Sequence, residues 1–168
     1  IPGTMPADSY ETILAHLSDK KIRVIVDATN NLLLNTLKYR PFLIKPNHHE
    51  LGELFGVQLT DIEKITFYAR KLQEMGAENV LVSMAENGAL LIDASGNYHR
   101  CGVCEGIVKN AVGAGDSMLA GFLAGFLKED YAYALKLGTA AGGATAFSDG
   151  DCTSAGTALI MDGFFLFD

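Results

Sequence analysis

What most limits the fold of this chain is a rhythm. Short apolar runs alternate with longer stretches in which apolar residues recur every three or four positions. Ile22-Arg23-Val24-Ile25-Val26-Asp27 is rich in β-branched residues, and such a run suits a strand covered on both faces. Phe42-Leu43-Ile44 and Val80-Leu81-Val82-Ser83 read the same way. Ahead of the first strand, Tyr10, Ile13, Leu14 and Leu17 form a helical stripe over residues 6–20, which Pro6 can open. Helices are expected over 30–38 and 49–55. A longer one is capped by Thr60, with Glu63 in the capping-box place and Ile62, Ile65, Ala69 and Leu72 on one face. Residues 88–93 and 97–103 predict a hairpin around Ser95-Gly96, and helices over 115–128 and 131–147 follow. The alternation implies right-handed βαβ units, hence an α/β fold with a mainly parallel sheet covered on both sides. Ligands of such sheets bind beyond the C-terminal strand ends, where Asp27, Lys45-Pro46-Asn47 and Ser83 all fall.

Composition narrows the partners. The 168 residues suffice for one core, so a single domain over 1–168 is expected. A net charge of −7 without a basic stripe argues against nucleic acid. No apolar run is long enough to span a membrane. Three cysteines, an odd number, fit a reducing cytoplasm better than a disulfide scaffold. Cys101-Gly102-Val103-Cys104, with His99 nearby, lacks the second ligand pair that a zinc site wants, and on a strand its thiols face opposite ways. The chain opens Ile1-Pro2-Gly3-Thr4-Met5-Pro6 without an initiator methionine, as expected of a piece cut from a longer protein. From about residue 150 it reads as divergent, and residues 161–168 form an aromatic tail with neither helix nor strand period.

Two motifs carry chemistry. In Val112-Gly113-Ala114-Gly115-Asp116-Ser117, the glycines let the backbone turn tightly and bring bare N–H groups against a ligand. The helix that starts there adds the positive end of its dipole, which favours an anion. An aspartate at the mouth of an anion site is misplaced for holding phosphate, but it suits a base that takes a proton from a hydroxyl attacking that phosphate. The second motif is Asn47-His48-His49-Glu50, directly after a strand and Pro46. Glu50 can reach a hydrated Mg²⁺, which keeps several waters and needs few direct carboxylates; Asp27 is a candidate second carboxylate. Asn47 can bond a phosphate or one of those waters. Taken alone, Asn47 and Glu50 are the pattern of a plain helix cap. His48 and His49 are expected to face solvent, and Lys45 to touch either a phosphate or a carboxylate.

Together, Lys45-Pro46-Asn47-x-x-Glu50-Leu51, Val82-Ser83 through Gly88, and Asn110-Ala111-Val112-Gly113-Ala114-Gly115-Asp116-Ser117 have the order and spacing of the ribokinase-like, phosphofructokinase-B type sugar kinases, and the chain resembles that family over residues 1–150. The resemblance implies a three-layer α/β/α fold with a Rossmann-like sheet, of which this chain is the C-terminal, nucleotide-binding half. It implies ATP and Mg²⁺ as cofactors and a sugar phosphate as acceptor. Asp116 would be the catalytic base. Backbone N–H groups of Gly113, Ala114, Gly115 and Asp116 would form the anion hole. Asn47, with Glu50, would organise Mg²⁺ and the phosphates, and Ser83, Met84, Ala85, Glu86, Asn87 and Gly88 would border the nucleotide. Within the family the phrases are most similar to the 1-phosphofructokinase branch, which implies transfer to the 6-hydroxyl of fructose 1-phosphate, with tagatose-6-phosphate kinase as the close relative. Two positions depart from the family pattern: Ala111 replaces a hydroxyl residue, and Ala85 replaces the first glycine of the nucleotide loop. The absent N-terminal half supplies the first strands, most sugar contacts and a lid that often forms a homodimer interface. This fragment is therefore expected to be inactive alone, with an unpaired sheet edge.

Overall fold

The computed structural model describes residues 8–103 and 105–148, together with the backbone of 164–167. In chain order the elements are α1 (Ser9–Leu17), β1 (Arg23–Val26), α2 (Asn30–Thr36), β2 (Leu43–Ile44), α3 (His48–Phe55), α4 (Ile62–Glu74), β3 (Asn79–Ser83), β4 (Ala89–Ile92), β5 (Tyr98–Cys101), α5 (Ala114–Phe126), α6 (Tyr131–Phe147) and β6 (Phe164–Phe167). The six strands form one sheet in the order β5-β4-β3-β2-β1-β6.

Strand alternation builds two cores, one on each face. Val26, Ile44, Val80, Val82, Leu90 and Ile92 pack with Leu14, Leu33, Leu51, Ile65, Ala69 and Leu72 from α1 to α4. Their neighbours Ile25, Leu43, Leu81, Ala89 and Leu91 pack with Met118, Leu119, Phe122 and Phe126 of α5 and with Ala134 and Leu135 of α6. Because successive side chains point to opposite faces, a strand apolar at every position feeds both layers. The result is the expected three-layer α/β/α arrangement.

The sheet is more mixed than the alternation suggests. β1–β2 and β2–β3 are parallel, whereas β3–β4, β4–β5 and β1–β6 are antiparallel. A return through Ser95-Gly96 is too short for a crossover, and Gly96 (φ +78°) takes the left-handed conformation of a tight hairpin turn. The tail also departs from expectation. Residues 164–167 pair with β1 along its outer edge, from Arg23 opposite Phe167 to Val26 opposite Phe164. β6 therefore covers the outer side of β1, since four consecutive strand-forming residues can pair even without alternation.

Helix ends shift for local reasons. The Asp61 carboxylate, not Thr60, caps α4 by accepting from Lys64 N at 2.8 Å. Pro6 lies outside the described residues. Lys38 falls in a single 3-10 turn, Leu37–Tyr39, that follows α2.

Candidate active site

Parallel pairing of β1, β2 and β3 sends their C-terminal ends to one side of the sheet. The chain just beyond β2 stays with β3: Asn47 bridges Ser83 in parallel register, and Ser83 N donates to Pro46 O at 3.2 Å. This joins the Asn47 motif to the start of the 83–88 loop.

Asn47 begins α3. Its Oδ1 accepts from His49 N and Glu50 N, each at 2.9 Å, while Glu50 Oε2 accepts from Asn47 N at 2.8 Å. The capping box is complete. It leaves Asn47 Nδ2 and Glu50 Oε1 without a partner among the described residues. His49 is exposed as expected, whereas His48 is only part-exposed and its Nδ1 is closed off from water.

The glycine turn meets this edge through a lysine. Lys45 follows β2 and is 7% exposed. Its Nζ lies 3.1 Å from Asp27 Oδ2 at the end of β1. On its other side the ammonium abuts the turn: a Cβ added to Gly115 would stand 3.2 Å from Lys45 Nζ. Partial burial pushes the Asp27 carboxyl above the usual carboxylate range; Lys45 opposes that rise, and the charge of Asp116 adds to it. Asp27, Lys45, Gly115 and Asp116 thus share one electrostatic neighbourhood.

Gly113 (φ +77°) caps α5 with left-handed backbone. Ala114 N donates to Ala111 O at 3.2 Å and Ser117 N to Gly113 O at 2.9 Å. Like Gly113 N, the N–H groups of Gly115 and Asp116 have no such acceptor among the described residues, so within the expected Gly113–Asp116 set only Ala114 N is taken. The Asp116 side chain is exposed. Thr145 of α6 supports the turn by donating to Ser117 Oγ at 2.7 Å, and Lys109 N and Asn110 N bond Ala146 O at 2.8 and 3.2 Å.

Three of the expected ligand residues also hold the fold together. Asp27, expected at a metal, is ion-paired with Lys45 because parallel pairing sets their strand ends side by side. Met84 is 2% exposed and its side chain belongs to the core. At Gly88 a Cβ would stand 2.0 Å from Cys101 O, so its bareness lets β5 pass. Ala85, Glu86 and Asn87 are exposed in a 3-10 turn, with Ser83 half-buried at its root. Among the described residues no three His, Cys, Asp or Glu side chains form a metal-holding group. Cys104 lies outside the described residues, and His99 is bonded to Asp93 Oδ2 at 2.8 Å. Sequence reasoning left Lys45 undecided. The available signal was a lysine straight after Phe42-Leu43-Ile44, since a lysine carried into a core must be paired.

Comparison with known proteins follows this geometry. The profile described as "pfkB family carbohydrate kinase" matches residues 1–158. The chain is 47% identical over 150 residues to the 1-phosphofructokinase of Bacillus subtilis, covering 89% of this chain and 49% of that protein. It is 35% identical over 155 residues to the D-tagatose-1-phosphate kinase of Bacillus licheniformis, covering 89% and 50%. Its backbone is similar to that of Escherichia coli phosphofructokinase-2 in complex with fructose-6-phosphate, with a TM-score of 0.78 at 27% identity, over 87% of this chain and 48% of that one. The ribokinase of Thermotoga maritima matches with a TM-score of 0.69 at 25% identity, over 84% and 48%. The chain spans about half the length of the curated relatives it matches.

Proposed function

The chain belongs to the pfkB family of carbohydrate kinases, and from that premise we propose that it is the phosphoryl-donor part of an ATP-dependent sugar-phosphate kinase whose acceptor is fructose 1-phosphate. The carrying observation is the start of α5, where open N–H groups of Gly115 and Asp116 stand beside an exposed carboxylate.

In this reading the 6-hydroxyl of the sugar attacks the γ-phosphorus of ATP. The new O–P bond forms as the bond to the bridging oxygen of ADP breaks, and Asp116 takes the hydroxyl proton. The Gly115 and Asp116 N–H groups hold charge on the transferred oxygens, aided by the α5 dipole. Glu50 Oε1 and Asn47 Nδ2 suit the water shell of a nucleotide-borne Mg²⁺, which supplies charge neutralisation at the phosphates when bound. Ser83, Ala85, Glu86 and Asn87 border the nucleotide. The acceptor contacts and a homodimer interface belong to the remaining length that relatives possess, so this chain alone transfers phosphate poorly or not at all. Similarity to D-tagatose-1-phosphate kinases at 35% and 32% identity keeps a tagatose phosphate as the second acceptor.

Calorimetric titration with ATP, with and without Mg²⁺, tests the donor site: saturable binding strengthened by Mg²⁺ is expected. A chain that binds neither form is a relic, not a donor half. In a protein completed to the length of its relatives, Asp116→Asn should lower kcat by about 10²–10⁴-fold with ATP affinity spared. Unchanged turnover would remove Asp116 from the role of base.

A further inference from the structure

Two positive features meet at the start of α5. One is the partial positive charge of the helix N-terminus, and the other is the Lys45 ammonium packed against Gly115. This reverses the usual preference, which sets cations near helix C-termini and anions near N-termini. Lys45 is also 7% exposed, so water does little to relieve the conflict. Asp27 Oδ2, 3.1 Å from Nζ, is the counter-ion that permits it. We propose that Asp27 is a positioning residue, which holds the Lys45 ammonium beside the open N–H groups of Gly115 and Asp116 so that all three donors face one phosphate. The inference rests on the reading of this turn as a phosphate site.

The alternative roles of Asp27 predict opposite signs. A carboxylate that is merely nearby repels a phosphate, so removing its charge would tighten anion binding. A carboxylate that orients the ammonium strengthens anion binding despite its own charge, because a released lysine regains its rotamer freedom and leaves the turn. A carboxylate that binds Mg²⁺ directly matters only when the metal is present.

Titration of the 168-residue chain with inorganic pyrophosphate in a chelating, metal-free buffer, and with ATP plus Mg²⁺, separates these roles. Asp27→Asn is expected to weaken pyrophosphate binding about tenfold, the size of one charge-assisted contact. Lys45→Met should lose at least as much. The double variant should be no weaker than Lys45→Met alone, since Asp27 acts through Lys45, and Asp27→Glu should recover most of the loss. Circular dichroism and thermal unfolding establish that each variant is folded, and the double variant buries neither charge alone. Tighter or unchanged binding by Asp27→Asn overturns the positioning role, as do a loss confined to Mg²⁺ conditions and additive losses in the double variant. If the unaltered chain binds neither pyrophosphate nor ATP, the donor-site reading falls and this inference with it. If it binds and Asp27→Asn does not weaken it, only the inference falls.

Discussion

Asp93, 2% exposed at the end of β4, shows what a buried carboxylate needs. Its oxygens accept from Ser95 N, Asn97 N, Asn97 Nδ2 and His99 Nε2, at 2.8 to 3.0 Å. Burial raises its pKa, but the bonds from His99, Asn97 and Ser95 outweigh that and hold it below the usual aspartate value. The folded pKa therefore lies under the unfolded one. The stability this contributes is present above the ordinary aspartate value of the unfolded chain and lost as pH falls through the folded value. Asp93→Ala should cost about 1–3 kcal/mol at neutral pH and flatten the acid limb of a urea-unfolding series. An unchanged limb would mean that other carboxylates set acid stability. Ala85 is the converse case. It adopts φ +48°, a left-handed conformation that suits glycine, at the position where the family pattern has glycine. Ala85→Gly should leave stability unchanged or raise it by up to about 1 kcal/mol, as read by denaturant midpoint. A clear loss would place the alanine methyl in a contact that outweighs the strain.

At the scale of elements, α5 and α6 pack too closely for ordinary side chains. A Cβ on Gly125 would stand 2.6 Å from Ala134 Cα, and one on Gly138 would stand 2.7 Å from Met118 O. Both obstacles are backbone, so a helix must move. Gly138→Ala and Gly125→Ala should each destabilise by about 1–3 kcal/mol, despite an intrinsic helix gain of about 1 kcal/mol. Equal or higher stability in chemical unfolding would show that the helix pair has slack. Close packing of the helix pair explains the bareness of both positions. Helix starts after α1 were legible to within a residue or two, since capping depends on neighbours in the chain. Thr60 was read in place of Asp61 because either side chain can cap, and only backbone dihedrals choose between them.

For the whole molecule, the sheet edge is the sensitive feature. β6 pairs with β1 on the side away from β2, covering backbone groups that would otherwise offer a template to another chain. Deleting residues 164–168 should unpair that edge and shift sedimentation velocity toward self-associated species. A variant that sediments as the parent does would show that β6 protects nothing. Nothing in the sequence placed this strand, because its partner β1 is more than a hundred residues distant and the tail lacks alternation. By itself the sequence determined the alternation of elements, the three layers and the two motifs, one at a strand end and one at a helix start, since each is written in patterns only a few residues long. The tertiary structure alone decided which groups meet: Asp27 with Lys45, Lys45 with the Gly115 turn, and β6 with the β1 edge. Ion pairs and ladder hydrogen bonds act over a few ångströms of space, and that proximity exists only once the strands lie side by side.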